Sequence, residues 1–353
     1  MSEDTTRCLL VGLGGMGSGL IRFLRQKPWF EAAGLVDVRD EAMTEPQREL
    51  HLPDEALFND LGQALEATAP DAVIINTPSE LHFEQSKASL EAGAHVLVAK
   101  PITNDFARAV ELVDLAAETG RTLSVGQQIR YNRHYLAVAK FIASGALGGI
   151  EAAWLMNSKP RPQPKNLAAM DQPAVYENAC HHFDSFLAVF PGHVPEWIAC
   201  DGFIPSWSPY AGPCMVNALI RFSGGVHVSY HGGFSARAPM YEFRLEGTAG
   251  ALRCRGLHMS NDLMSYEFAD ALGHFEAVEI DKDVPVNNPW VRFLDAWHDD
   301  VLGGDDNAPF SGRNNLVVMA MVSAAIESVE AGRPVDIAGN PLYAAAFDIG
   351  GAP

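Results

Sequence analysis

At 353 residues the chain is longer than one hydrophobic core usually organises, and it suits two domains. Its composition, 48% apolar and 20% charged, is that of a globular protein rather than a disordered one, and no apolar run approaches the ~18 residues that span a bilayer. A formal net charge of −19 repels phosphate backbones and anionic lipid, which argues against nucleic acid and membrane as partners.

The start, Met1-Ser2-Glu3-Asp4, is acidic and lacks the basic and apolar stretches of a signal peptide, so a cytoplasmic location is expected. The first third then alternates short apolar runs with helical patterns. Continuous apolar runs at 8–11, 33–37, 72–75, 96–99 and 123–125 predict parallel strands buried on both faces. Between them, 15–26, 41–50, 79–92 and 104–118 predict helices. Ser79 and Asn104 stand where N-caps belong, and Gly93 and Gly120 where helices end. This β-α-β order implies an α/β domain over 1–126, a doubly wound parallel sheet with right-handed crossovers.

The pattern changes over 127–353. A helix is predicted at 135–144 and a strand at 150–157, followed by the proline-broken basic loop Lys159-Pro160-Arg161-Pro162-Gln163-Pro164-Lys165. A helix is predicted at 178–190. Closely spaced strands at 194–203, 215–222, 226–233, 241–246 and 251–255 predict a large, mostly antiparallel open sheet in an α+β domain. Helices at 289–301 and 315–331 close the chain. Cys8, Cys180, Cys200, Cys214 and Cys254 are odd in number and form no C-x-x-C, so reduced, mostly buried thiols are expected.

The first strand runs into Gly12-Leu13-Gly14-Gly15-Met16-Gly17, a G-x-G-x-x-G sequence. Gly12 permits the tight turn, Gly14 lets the backbone approach a pyrophosphate, and Gly17 lets the helix pack close to the strand. The unpaired N–H groups and dipole of the helix start then face the phosphates. Asp37 ends the second strand, twenty residues past Gly17, where an acid binds the ribose hydroxyls of a dinucleotide. Its charge would repel a 2′-phosphate, so a Rossmann-type site for NAD, with NADP disfavoured, is expected. Arg39 is either a solvated loop residue or a contact for such a phosphate.

Later segments carry a family likeness. Ile74-Ile75-Asn76-Thr77-Pro78-Ser79-Glu80-Leu81-His82 resembles the strand-then-T-P-x-x-x-H signature of the Gfo/Idh/MocA oxidoreductases. The run from Ala92 to Pro101 resembles their A-G-K-H-V-L-x-E-K-P, and Gln128-Ile129-Arg130-Tyr131 resembles the start of their second domain. The segment from Ala325 to Val335 resembles their closing helix. The resemblance implies hydride transfer between a nicotinamide and a secondary alcohol or ketone of a sugar, cyclitol or related polyol. It also implies a homo-oligomer, dimer or tetramer, built through the second domain's sheet. Asn76, Thr77, Pro78 and His82 would lie beside the cofactor, and Lys100 takes the catalytic lysine position. A fixed ammonium stabilises the negative charge that grows on the substrate oxygen. Ala99 departs from the family, which has glutamate there.

Glu177-Asn178-Ala179-Cys180-His181-His182-Phe183-Asp184 resembles the family's D-x-G-x-H-x-x-D, with Glu177 for aspartate and Ala179 for glycine. On an α-helix Glu177, His181 and Asp184 share one face. His181 is assigned as acid/base, Glu177 as its neighbour, and His182 as a packing or cap residue. A metal site is disfavoured because adjacent helical side chains point about 100° apart. Arg130, Tyr131, Trp154, Lys159, Arg161, Tyr176 and Asn178 are candidates for substrate contact. The Lys159–Lys165 loop either attracts an anionic group or is simply solvated. The departures at Ala99 and Glu177 leave two alternatives to a dehydrogenase: a non-catalytic dinucleotide sensor, and an enzyme that uses NAD transiently for elimination or hydrolysis.

Overall fold

The computed structural model describes residues 5–258, 264–303 and 308–348. It divides into two compact units: residues 1–127 with 290–319, and residues 128–289 with 320–353.

The first unit is built on six parallel strands in the order β3-β2-β1-β4-β5-β6. These are β1 (Thr6–Val11), β2 (Phe30–Val36), β3 (Leu57–Phe58), β4 (Ala72–Ile75), β5 (His95–Val98) and β6 (Leu123–Val125). The order is that of a doubly wound dinucleotide-binding fold, whose ligand crevice lies beyond the carboxyl ends of the strands where the order reverses. All four residues of β4 are buried, as a central parallel strand requires. The helices are α1 (Gly15–Leu24), α2 (Asp40–Leu50), α3 (Leu61–Thr68), α4 (His82–Glu91) and α5 (Phe106–Thr119). β3 and α3 were not anticipated.

Two caps differ from expectation. Asp105, not Asn104, caps α5, accepting the Arg108 N–H at 2.9 Å. Ser79 opens a single 3₁₀ turn, and α4 begins three residues later without a side-chain cap. Gly120 ends α5 at φ 63°, where its missing Cβ removes the left-handed penalty.

The later chain returns to complete this unit. Val125 N–H donates to the Phe310 carbonyl at 2.8 Å, and Trp29 stacks on His298 at 4.4 Å. The Lys27 ammonium reaches Asp295 at 2.6 Å and the Val291 carbonyl at 2.8 Å. These residues belong to α8 (Pro289–Gly303) and the segment leading into α9 (Gly312–Ala331). A single boundary near residue 126 does not anticipate this return.

Among the described residues the second unit has nine strands: β7 (Ile150–Ser158), β8 (Pro195–Phe203), β9 (Met215–Phe222), β10 (Val226–Gly233), β11 (Met240–Gly247), β12 (Gly250–Gly256), β13 (Ser265–Asp270), β14 (Glu276–Ala277) and β15 (Val335–Asp336). Their order is β14-β13-β12-β11-β7-β10-β9-β8-β15, and β7 with β10 is the parallel pair. One face carries α6 (Arg133–Ala143) and α7 (Cys180–Val189). Phe186 of α7 packs on Phe222 and Phe243, and Phe183 on Tyr230. Along β9 buried residues alternate with exposed Asn217, Leu219 and Arg221, so the opposite face is open. The five cysteines are buried and none forms a disulfide. No helix among the described residues is long and apolar enough to cross a membrane.

Two buried histidines of this unit predict an acid-sensitive fold. His134 meets the Tyr241 hydroxyl at 2.8 Å, and His182 meets that of Tyr230 at 3.0 Å. Burial pulls both imidazoles down to about 3, with Lys159 and His258 adding to the effect at His182. The unfolded chain takes up protons there from about pH 6.5, whereas the folded chain does not until near the lowered value. The contribution is therefore complete above about pH 6.5 and is lost as pH falls towards 3. The melting temperature should drop steadily from pH 7 to pH 4, and less steeply in His134→Gln. A flat profile over that window would refute this.

Candidate active site

In the first unit the glycine loop follows β1 at the carboxyl end of the sheet. Gly12 has φ 82°, and a Cβ there would lie 2.7 Å from the Asn76 carbonyl carbon and the Thr77 nitrogen. A Cβ on Gly17 would lie 1.9 Å from the Gly12 oxygen. These two glycines are buried and bring loop, helix and β4 together. Gly14 and Gly15 have open space where a Cβ would be, and Met16 is exposed. Gly14 caps α1 without a side-chain hydrogen bond, and the first turn holds no acid. The N–H groups of that turn therefore have no side-chain acceptor from the cap and no acid within the turn, which suits a pyrophosphate. Gly17→Ala should weaken dinucleotide binding at least about tenfold and lower the melting temperature, because backbone must move to admit the methyl group. Calorimetric titration checks this; wild-type affinity would refute it.

Asp37 follows β2 and is buried. Its carboxylate accepts the Leu13 N–H at 2.8 Å and the Arg39 N–H at 3.0 Å, so the acid also fixes the glycine loop. Arg39 Nε lies 3.4 Å from the same carboxylate, so its guanidinium is paired with the acid. Asn59, which carried no sequence signal, holds the Asp37 carbonyl at 3.0 Å.

The Asn76–Pro78 loop continues β4 beside Gly12. His82 does not face this surface. Its ring is buried, with nitrogens 2.8 Å from the Pro101 carbonyl and 2.9 Å from the Thr77 carbonyl. It joins the two loops rather than offering a ligand contact. Burial lowers its pKa, the two carbonyls oppose that shift, and the Lys100 ammonium reinforces it. Lys100 itself is half-buried just past β5, joined to Pro101 by a cis peptide.

In the second unit Glu177 and Asn178 sit in a π-helical turn, Val175–Ala179, that leads into α7. The expected single α-helical face of Glu177, His181 and Asp184 is therefore not formed. π-turns interrupt α-helices mostly at functional positions. His181 is 9% exposed in the first turn of α7. Asp184 is buried and grips Arg130 with both carboxylate oxygens, one of them 3.0 Å from Nε. Burial pushes the Asp184 carboxyl up and the guanidinium pulls it back. Arg130 is thus committed to the core, and Asn178 accepts the Asn157 amide at 2.9 Å.

Trp154 is separated from these groups. It alternates with Leu155 and Asn157 along β7 and lies on the open face of the sheet with Met156 and Leu219. Tyr131 and Tyr176 are half-buried beside Arg130 and Glu177 in sequence. The basic loop is ordered at its start: Lys159 N–H donates to the Gly233 carbonyl at 2.9 Å and Arg161 N–H to that of Phe234 at 2.8 Å. Among the described residues, no group of three or more His, Cys, Asp or Glu could hold a metal ion.

Comparison with known proteins agrees with this geometry. Residues 6–127 match the profile of the oxidoreductase family with an NAD-binding Rossmann fold, and residues 135–253 match the GFO/IDH/MocA C-terminal domain. The 1,5-anhydro-D-fructose reductase of Ensifer adhaerens is 24% identical over 275 residues, covering 76% of this chain and 80% of that one. The aldose-aldose oxidoreductase of Caulobacter crescentus superposes with a TM-score of 0.83 at 17% identity, covering 94% of this chain and 99% of the other. An Agrobacterium radiobacter oxidoreductase crystallised with NAD+, L-tartaric acid and magnesium also gives 0.83, at 16% identity and 94% and 98% coverage. The two profile matches follow in chain order and together span well over half the sequence, so the chain belongs to the Gfo/Idh/MocA family of oxidoreductases, with an NAD-binding Rossmann domain at its N-terminus.

Proposed function

We propose that the protein transfers a hydride between NAD and a secondary alcohol or ketone of a sugar, cyclitol or related polyol. The observation that carries this reading is Lys100 at the carboxyl end of β5, on a loop that His82 ties to the Thr77 loop beside Gly12. A half-buried ammonium held there polarises the substrate oxygen, and it is worth more as negative charge develops than in the ground state. His181 takes the hydroxyl proton in oxidation and returns it in reduction. Glu177, in the π-turn that leads into α7, is the acid nearest to it in sequence on that side. When bound, the nicotinamide provides the carbon that accepts or gives the hydride.

Asp37 supports NAD over NADP, because its carboxylate is fixed by two backbone N–H groups and cannot swing away from a 2′-phosphate. Trp154, Met156 and Leu219 give the open sheet face the apolar character of a subunit contact, and we place the homo-oligomer there. The test is a panel of aldoses, alditols and cyclitols with each cofactor, read by formation of reduced nicotinamide. The reading requires turnover with at least one polyol and an NAD affinity at least about tenfold above that for NADP. NAD binding without turnover of any polyol or its ketone would refute it.

A further inference from the structure

The parallel pair of the second unit's sheet, β7 and β10, carries two polar side chains on the face that meets α7. Asn157 of β7 donates its side-chain amide to the Asn178 side-chain oxygen at 2.9 Å. The Tyr230 hydroxyl of β10 meets His182 Nδ1 at 3.0 Å. All four residues are buried, so no solvent competes for either bond.

The two bonds converge on one residue. Asn157 and Gly232 face each other in the β7–β10 register. A Cβ on Gly232 would lie 2.0 Å from the Tyr230 hydroxyl oxygen and 2.9 Å from Asn178 Nδ2. The missing side chain is therefore what lets the tyrosine hydroxyl and the asparagine amide lie together over the strand.

What they hold is the π-turn Val175–Ala179 and the first turn of α7. Asn178 directly follows Glu177, and His182 directly follows His181. A π-turn is rare and takes in one residue more than the α-helical turn it replaces, so it calls for a tie from outside the helix. If it relaxed to α-helical pairing, the residues before it would rotate by about 100° relative to those after it. Glu177 would then change side relative to His181.

We propose that Asn157 and Tyr230 are positioning residues for His181: acting through Asn178 and His182, they fix the π-turn and the first turn of α7, and with them the imidazole that moves the hydroxyl proton. This rests on the hydride-transfer reading above, whose site it extends.

The experiment uses the full chain with NAD and any polyol that the wild type turns over. Tyr230→Phe and, separately, Asn157→Leu keep the size of each side chain and remove its hydrogen-bonding group. Each should lower kcat by about tenfold to a hundredfold, as a small misplacement of a reacting group does, with the NAD dissociation constant within about twofold. The limb of the kcat pH profile that follows His181 should move by about half a unit or more. Asn157→Leu with Asn178→Leu, and Tyr230→Phe with His182→Leu, should each lose no more than the worse of their single variants, because each pair acts as one unit. A kcat within threefold and an unmoved pH limb in both single variants, or additive losses in both double variants, overturns the proposal.

Hydrogen exchange on the wild-type chain tests the tie even if a variant fails to fold. The amides of 177–182 should exchange as slowly as those of the rest of α7. Exchange there as fast as in the exposed turn at 271–274 counts against it. If no polyol is turned over, the His181 imidazole is titrated by NMR in the wild type and in Tyr230→Phe. A shifted titration without turnover refutes hydride transfer and keeps the positioning role. Turnover that survives both single variants does the reverse.

Discussion

Lys100→Ala lowers kcat by about 10² to 10⁴, the range in which loss of an oxyanion stabiliser or a positioned proton donor falls. The cofactor dissociation constant stays within about threefold, because the glycine loop and Asp37, which the substitution leaves intact, carry that binding. The loss falls on kcat and kcat/KM alike, as expected of an interaction made in the transition state. Lys100→Arg recovers little, since a planar fork does not replace a point charge. Steady-state kinetics on any polyol turned over by the wild type decides the matter. A kcat within threefold of wild type would remove Lys100 from the mechanism.

Asp184→Ala destabilises the fold by about 3–5 kcal/mol, the usual cost of stranding a buried charge. Arg130 is 12% exposed at its side chain and Asp184 1%, so neither reaches enough water to recover its solvation. Replacing both with apolar residues of similar size, Arg130→Met with Asp184→Leu, restores most of the loss, because the pair's own contribution is small once desolvation is counted. Urea denaturation of the three variants separates the two effects. A loss below 1 kcal/mol in Asp184→Ala would mean that water reaches the pair.

Long, regular elements were legible from sequence. β4, β9 and β10 have the bounds their apolar runs predict, because burial on one or both faces writes a direct signal into consecutive residues. β3, β14 and β15 have two residues each, too few for any period, and owe their existence to a neighbouring strand. The glycine loop and Asp37 were legible because their spacing is itself the constraint. Other side chains were not. Trp154 and Met156 alternate with Ala153 and Leu155, so both faces of β7 read as apolar and the sequence does not say which one meets the helices. Asp184 looked like a partner for His181 at helical spacing, yet it pairs with Arg130, 54 positions away. Local periodicity cannot reveal a choice made by tertiary packing.

The return of the chain to its first unit carries a consequence for biosynthesis. β6 lies beside Phe310 and Ser311, and Trp29 is covered by Trp297 and His298. During vectorial synthesis Phe310 is made 185 positions after Val125, and Trp297 268 positions after Trp29. The nascent nucleotide-binding half must therefore wait with an indole and a sheet edge uncovered, a period in which chaperone capture competes with completion of the fold.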